Sequence, residues 1–303
     1  MKTEENGILK TVVYYNCLDY PLTKEELNIF SFRDKGGQGA DLVEESDGLY
    51  FLNGRKSLVK IRTERNKIAK KKWDKTLKAI KWLRIIPYIK LVFASGSLAL
   101  SNTDEESDLD VLIVVKHGRI WTARILTVLL LSLLGVRRTR YERIAPDKIC
   151  LNHFITDKSL YIPRKSIYTA QLYARLVPIF IEDKKLVDDF IKANSWIGEW
   201  VRGWPTIKFK ITDQNLKVLR TIKKIGEKIL DTKFGDWLER TLKKYQLRRI
   251  NSYYLTHRPG GRVKADDESL EFHPDSPELI IIERYNRKMI ELGFKDLTEE
   301  TSF

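Results

Sequence analysis

The sequence predicts an α+β fold: a small mixed β-sheet with helices on one side, set between an N-terminal helix-and-hairpin unit and a helical C-terminal region. Three observations carry this. Residues 90–155 alternate short apolar runs with turns and one strongly apolar helix. Residues 8–61 read as helices followed by two short strands. Beyond residue 163 helical periodicity dominates. The 303 residues divide on this basis at 1–62, 63–163 and 164–303.

Residues 8–17 form a helix with a wide apolar face, and Leu18-Asp-Tyr-Pro-Leu22 breaks it. Thr23-Lys-Glu-Glu26 is a capping box opening a second helix to about Phe32. Gly36, Gly37 and Gly39 mark a loop, and a short helix is expected over 40–46. Gly48–Leu52 and Arg55–Ile61 then read as a hairpin turning at Asn53-Gly54. Helix, helix, helix, hairpin is the order of a winged helix. Its third helical candidate, Ala40–Asp47, is acidic. That argues against sequence-specific DNA reading and for a role in protein contact or substrate positioning.

From Lys60 to Lys90 the chain carries twelve Lys or Arg against two acids, Glu64 and Asp74. Ile68, Trp73, Leu77, Ile80 and Leu83 fall near helical spacing, so a long helix buries one stripe and shows a basic face until Pro87 ends it. Lys70, Lys71 and Lys72 are candidates for contacting a nucleic-acid backbone; a merely solvated face is the plainer reading.

The segment richest in chemistry follows. The apolar run Leu91–Ala94 ends in Ser95-Gly96-Ser97; ten residues later comes Asp108-Leu-Asp-Val-Leu-Ile-Val-Val115. On a strand, Asp108 and Asp110 point to one face. Two adjacent carboxylates call for a cation, and Mg²⁺ accepts both carboxylate and phosphate oxygens. Glycine lets a backbone approach a phosphate closely, and a helix starting near Ser97 turns N–H groups toward an anion.

Ser95, Gly96, Ser97, Asp108, Leu109, Asp110 and Val111 together resemble the signature of the DNA polymerase β-like nucleotidyltransferase superfamily. The resemblance implies a minimal nucleotidyltransferase core made of strand 90–95, a short helix, strand 109–115, apolar helix 120–135, and strands 137–142 and 148–155. It implies that Asp108 and Asp110 hold Mg²⁺ or Mn²⁺ and that Ser95, Gly96 and Ser97 hold the triphosphate of an NTP substrate; Lys116 is assigned with them to the nucleotide. The phrases Leu18-Asp-Tyr-Pro-Leu-Thr23 and Tyr50-Phe-Leu-Asn-Gly-Arg55 are similar to the N-terminal winged helix of certain bacterial nucleotidyltransferase-domain proteins.

One expected part is missing. The family places a third acid on a later strand, but Lys148–Ile155 offers Asn152 and His153 and no carboxylate. Both enter as catalytic candidates. Asn152 is a poor base, and a lone strand histidine is more often packed than catalytic. Glu142 and Asp157 flank the region.

After Pro163, helices are expected over 166–179, 184–201, 212–233 and 236–249, and from Pro277 to about Leu292. Arg240, Lys243 and Lys244 make a second basic cluster with nucleic-acid potential. Trp196, Trp200 and Trp204 read as packing residues. Thr256–Lys264 is a basic glycine loop without Walker spacing.

The balance of 55 basic to 41 acidic residues, a net +14, favours an anionic partner and disfavours a cationic small substrate. Two cysteines, Cys17 and Cys150, make neither a disulfide framework nor metal-ligand spacing, which with the absence of an apolar leader fits the cytoplasm. The 120–135 run is short and interrupted by Arg124, so it is expected to pack on the sheet and not enter a membrane. The resulting reading is NMP transfer from an NTP to an acceptor hydroxyl, most simply on RNA, with tRNA as one case. The rivals are a catalytically impaired nucleic-acid-binding or regulatory protein, and an enzyme that nucleotidylates a protein.

Overall fold

The computed structural model describes residues 5–33, 39–210, 217–259 and 261–294. Helix α1 (Glu5–Asn16) is followed by the short strand β1 (Leu22–Thr23) and helix α2 (Lys24–Phe30). The capping box is present: the Thr23 hydroxyl accepts from the Glu26 N–H, and the Glu26 carboxylate accepts from the Thr23 N–H. The Gly36-Gly37 part of the expected loop lies outside the described residues.

The expected helix at 40–46 is a 3-10 turn over Ala40–Leu42 leading into β2 (Val43–Ser46), which pairs with β3 (Leu49–Leu52). The hairpin therefore turns at Asp47-Gly48, not Asn53-Gly54. Both Asp47 and Gly48 adopt positive φ, as a two-residue hairpin turn of this hand requires. Asn53-Gly54 instead leads into helix α3 (Ser57–Ile80), so 55–61 is no strand. Asn53-Gly54 still turns the chain, with Gly54 at positive φ, but the run that follows is helical and not extended.

A 3-10 segment (Lys81–Ile85) passes to β4 (Ile89–Ala94), the single turn α4 (Gly96–Leu100), β5 (Leu109–Val115), α5 (Ile120–Leu133) and β6 (Ile149–Thr156). The expected strand at 137–142 reduces to one bridge, Arg137 with Ile149. Next come α6 (Ile167–Ala174), β7 (Val177–Ile181), α7 (Lys185–Ala193) and α8 (Ile197–Trp200). Helices α9 (Lys217–Leu230) and α10 (Lys233–Asn251), a 3-10 turn (Tyr254–His257), β8 (Arg262–Ala265), β9 (Ser269–His273) and α11 (Glu278–Glu291) complete the chain.

The main sheet has six strands in the order β7-β4-β5-β6-β9-β8, with β5 and β6 parallel and the other pairs antiparallel. The region after 163, expected as helices, thus supplies three of its strands. The helix expected over 166–179 stops at Ala174, and Val177–Ile181 pairs with β4. Those residues read Val-Pro-Ile-Phe-Ile, a buried edge strand with its proline at the margin. Arg262 and Lys264 of the basic loop lie in β8, and the Arg262 guanidinium is bonded to Glu271 and Glu278.

The sheet separates two cores. On one face Val92, Val111, Ile113 and Phe154 pack with Trp73 and Ile80 of α3, Trp121 of α5 and Ile250 of α10. On the other, Phe93, Leu112, Val114 and Ile155 pack under α1, α6, α7 and α11, with Trp196 buried and Trp200 and Trp204 against it. Within 89–156 the one long helix, α5, lies on a single face. The N-terminal unit is fastened to α6 by Tyr15, whose hydroxyl donates to Gln171 Oε1 at 2.6 Å and accepts from Arg175 Nε at 2.7 Å. No helix among the described residues is long and apolar enough to cross a membrane.

Candidate active site

Strand β4 ends at Ala94, and Ser95 and Gly96 turn the chain into α4. Gly96 has φ +61°, a left-handed value that costs an L residue about 1–2 kcal/mol. A Cβ there would also overlap Asp110 Oδ2. The turn is bound to the neighbouring strand by the Ser95 N–H, which donates to the Asp110 carbonyl at 3.0 Å. The glycine bend and the second carboxylate are thus in contact. Gly96→Ala should force Asp110 out of place, so its activity loss should exceed the fall in its denaturation midpoint.

Asp108 and Asp110 lie at the start of β5 on the Leu112 face. Between Asp110 and Leu112 the β5–β6 register shifts, with Asp110 opposite Cys150 and Leu112 opposite His153. The extra β6 residue is a bulge, a device that re-aims side chains beside functional sites. It lets both Cys150 and Asn152 reach Asp110. Asn152 Nδ2 donates to Asp110 Oδ1 at 2.7 Å. The Cys150 sulfur and one oxygen of each aspartate all lie within 4.8 Å of one another. The Arg138 guanidinium pairs with Asp108.

Burial and the Asp108 charge push Asp110 up to about 7, against the pull of Arg138, Cys150 and Asn152. Burial, then the same two aspartates, raises the Cys150 thiol well above its ordinary value. Among the described residues no third carboxylate joins the pair; Cys150 stands in that position. Glu142 is bonded to Lys148 and the Thr139 N–H, and Asp157 to Lys90 and the His117 N–H. Two hard oxygens with a sulfur behind them, converging beside a phosphate-permissive bend, fit a divalent cation. Cys150 escaped sequence reasoning because the ligand set is formed across strands, 40 positions apart in the chain.

Other candidates go elsewhere. Lys116 follows β5 at the far end of the strand from Asp110, held by Asp231 at 2.9 Å. That placement removes it from the bend. Lys72 is buried, turned inward beside Ala69 and Trp73, and so is no backbone contact; Lys70 and Lys71 are exposed. On α10, Arg240 and Lys244 are exposed while Lys243 pairs with Asp267 at 2.5 Å.

His153 is buried, with Nδ1 3.2 Å from the Tyr173 hydroxyl, and it lines a cavity of about 210 Å³ with Arg262 and Glu271. Burial, with Arg262 and Lys264 nearby, lowers it to about 3, and burial lowers His273 to about 3 as well. A neutral imidazole so hard to protonate is a weak base. Its linkage has a definite sign. As pH falls below about 6.5 the unfolded chain takes up protons that the native state refuses, so stability drops toward about pH 3. His153→Gln should flatten the fall of the urea midpoint between about pH 7 and about pH 5.

With the geometry in place, residues 73–194, from Trp73 to the end of α7, match the family model of the nucleotidyltransferase domain. The chain contains a nucleotidyltransferase domain. That domain holds the glycine bend, both aspartates, Cys150, Asn152 and Arg138. No curated protein and no solved structure matched the chain.

Proposed function

We propose that the nucleotidyltransferase domain moves a nucleoside monophosphate from an NTP to a hydroxyl of RNA, with a divalent cation on Asp108 and Asp110. The observation that carries this reading is the contact of Asp110 with the Gly96 bend on one face of the sheet. The net charge of +14 supports a polyanionic acceptor.

The cation, when bound, supplies charge neutralisation at phosphate oxygens. The chain's own groups do the rest. Gly96 lets the Asp110 carboxylate lie against the bend because it has no side chain to displace it. Asn152 fixes the Asp110 carboxylate through Oδ1. Arg138 holds the Asp108 carboxylate, which with Asp110 would hold the cation. The acceptor oxygen bonds to the α-phosphorus as the bond to the β-phosphate oxygen breaks. Pyrophosphate departs with that electron pair, and the hydroxyl proton goes to solvent. Orientation and electrostatics carry most of such a transfer.

A second reading has its own observation. Arg138 already balances Asp108, and a thiol stands where a third acid is expected, which favours a domain that binds without transferring. Labelled NTPs with Mg²⁺ or Mn²⁺, offered RNA, DNA or lysate protein, separate the cases. Label on RNA that disappears in Asp110→Ala supports the proposal. Label on polypeptide points to protein nucleotidylation, and RNA binding without label supports the non-catalytic reading.

A further inference from the structure

We infer that the α5–β6 loop and the end of α10 form a stacking platform for the single-stranded end of a polynucleotide, built from Tyr141, Tyr253 and Tyr254 around Arg140. The inference rests on the reading of RNA as acceptor and names where that acceptor docks.

The Arg140 guanidinium lies 4.8 Å from the Tyr253 ring centroid and 5.1 Å from that of Tyr141. The Tyr253 and Tyr254 rings are 5.1 Å apart at 62°. The arrangement is braced: Tyr253 Oη donates to the Arg140 carbonyl at 3.2 Å, and Arg140 Nη1 donates to the Arg249 carbonyl at 3.3 Å. Yet its outer rings are bare. Tyr141 is 76% exposed and Tyr254 78%. Rings braced from behind and open in front offer a surface for planar groups without a large ordering cost.

Location and charge narrow the partner. Arg140 lies two residues, about 7 Å of extended chain, from Arg138, which grips Asp108. The platform therefore borders the mouth of the carboxylate site. Arg249, whose carbonyl accepts from Arg140, and its chain neighbour Arg248 are exposed, as is Arg143 in the loop, while the loop's two acids are paired away: Glu142 with Lys148 and the Thr139 N–H, Asp147 with Lys72 and Lys75. Arg240, Lys244 and Arg248 follow at four-residue spacing along α10, a basic row about 12 Å long that ends at the platform. Bases stack on exposed rings regardless of sequence while the backbone tracks such a row, the combination that single-strand binders use. A duplex has its base faces covered and cannot use the rings. Lys70 and Lys71 on α3 carry charge but no such rings, so they are not the primary dock.

The test is fluorescence anisotropy of the full chain with labelled single-stranded oligoadenylate and with the same strand in duplex, alongside the labelled-NTP assay. Tyr141→Ala/Tyr254→Ala should weaken single-strand binding roughly tenfold or more, as expected for lost base–aromatic stacking, with the salt slope unchanged. Duplex binding should hardly move. Lys244→Ala/Arg248→Ala should reduce the salt slope by about two. Because both tyrosines are exposed, unchanged thermal melts should accompany the loss. Wild-type affinity in the ring variant, equal loss for duplex, or no single-strand binding by the wild type would overturn the platform. Label on RNA together with unaltered binding by the ring variant sinks the platform and leaves the transferase reading standing. Ring-dependent binding with no label on RNA does the reverse.

Discussion

Asp110→Asn should lower nucleotidyl transfer by roughly a thousandfold, about 4 kcal/mol of barrier, while making the cation-free protein more stable at neutral pH. The two effects have one source. Asp110 is raised to about 7 by burial and by Asp108. Below about pH 4 native and unfolded chains both hold the proton. As pH rises from there, the unfolded chain releases it and the native state retains it, so stability falls until about pH 7 and stays lower above. Asparagine keeps the shape and an oxygen for Asn152 but does not titrate, so this slope disappears. A divalent cation should raise the melting temperature of the wild type and leave Asp110→Asn nearly unmoved. Melts at several pH values, with and without Mn²⁺, check both halves. A variant that still transfers label at the wild-type rate would remove Asp110 from the chemistry.

Lys72→Met should cost about 3 kcal/mol of stability and also weaken the site, without changing RNA affinity. Lys72 is 2% exposed. Its ammonium donates to the carbonyls of Glu105 at 3.1 Å and Ser107 at 2.8 Å, and to Asp147 Oδ1 at 3.0 Å. Ser107 immediately precedes Asp108, so Lys72 fastens the approach to the first carboxylate onto α3. Methionine fills the space but takes the ammonium from the Glu105 and Ser107 carbonyls; Ser107 keeps the Asp147 N–H at 3.3 Å, and Asp147 keeps Lys75. Urea denaturation reads the stability term, and reduced stabilisation by Mn²⁺ reads the loosened loop. Loss of RNA binding at unchanged stability would instead return Lys72 to the list of backbone contacts.

Lys72 also shows what was legible in the chain and what was not. In sequence it is one of three adjacent lysines. On a helix each residue turns by about 100°, which brings it to the inner face with Ala69, Trp73 and Thr76 while Lys70 and Lys71 stay outside. The β4–bend–β5 unit was readable because its alternation, its glycine and its paired acids are local. The hairpin turn lies at Asp47-Gly48 and not at the expected Asn53-Gly54 because β3 pairs back with β2 and with β1, a choice that depends on partner strands. Cys150 and Arg138 depend on register between strands, and β7, β8 and β9 on edges left open by distant segments. No local pattern records either.

Those three late strands have a consequence for dissecting the protein. β7 lies against β4, and β9 against β6, so a fragment stopped at 163 would present two raw borders of unpaired amides. Such a piece should self-associate instead of folding, and the nucleotidyltransferase domain should survive only when the tail is supplied, in cis or as a complementing peptide.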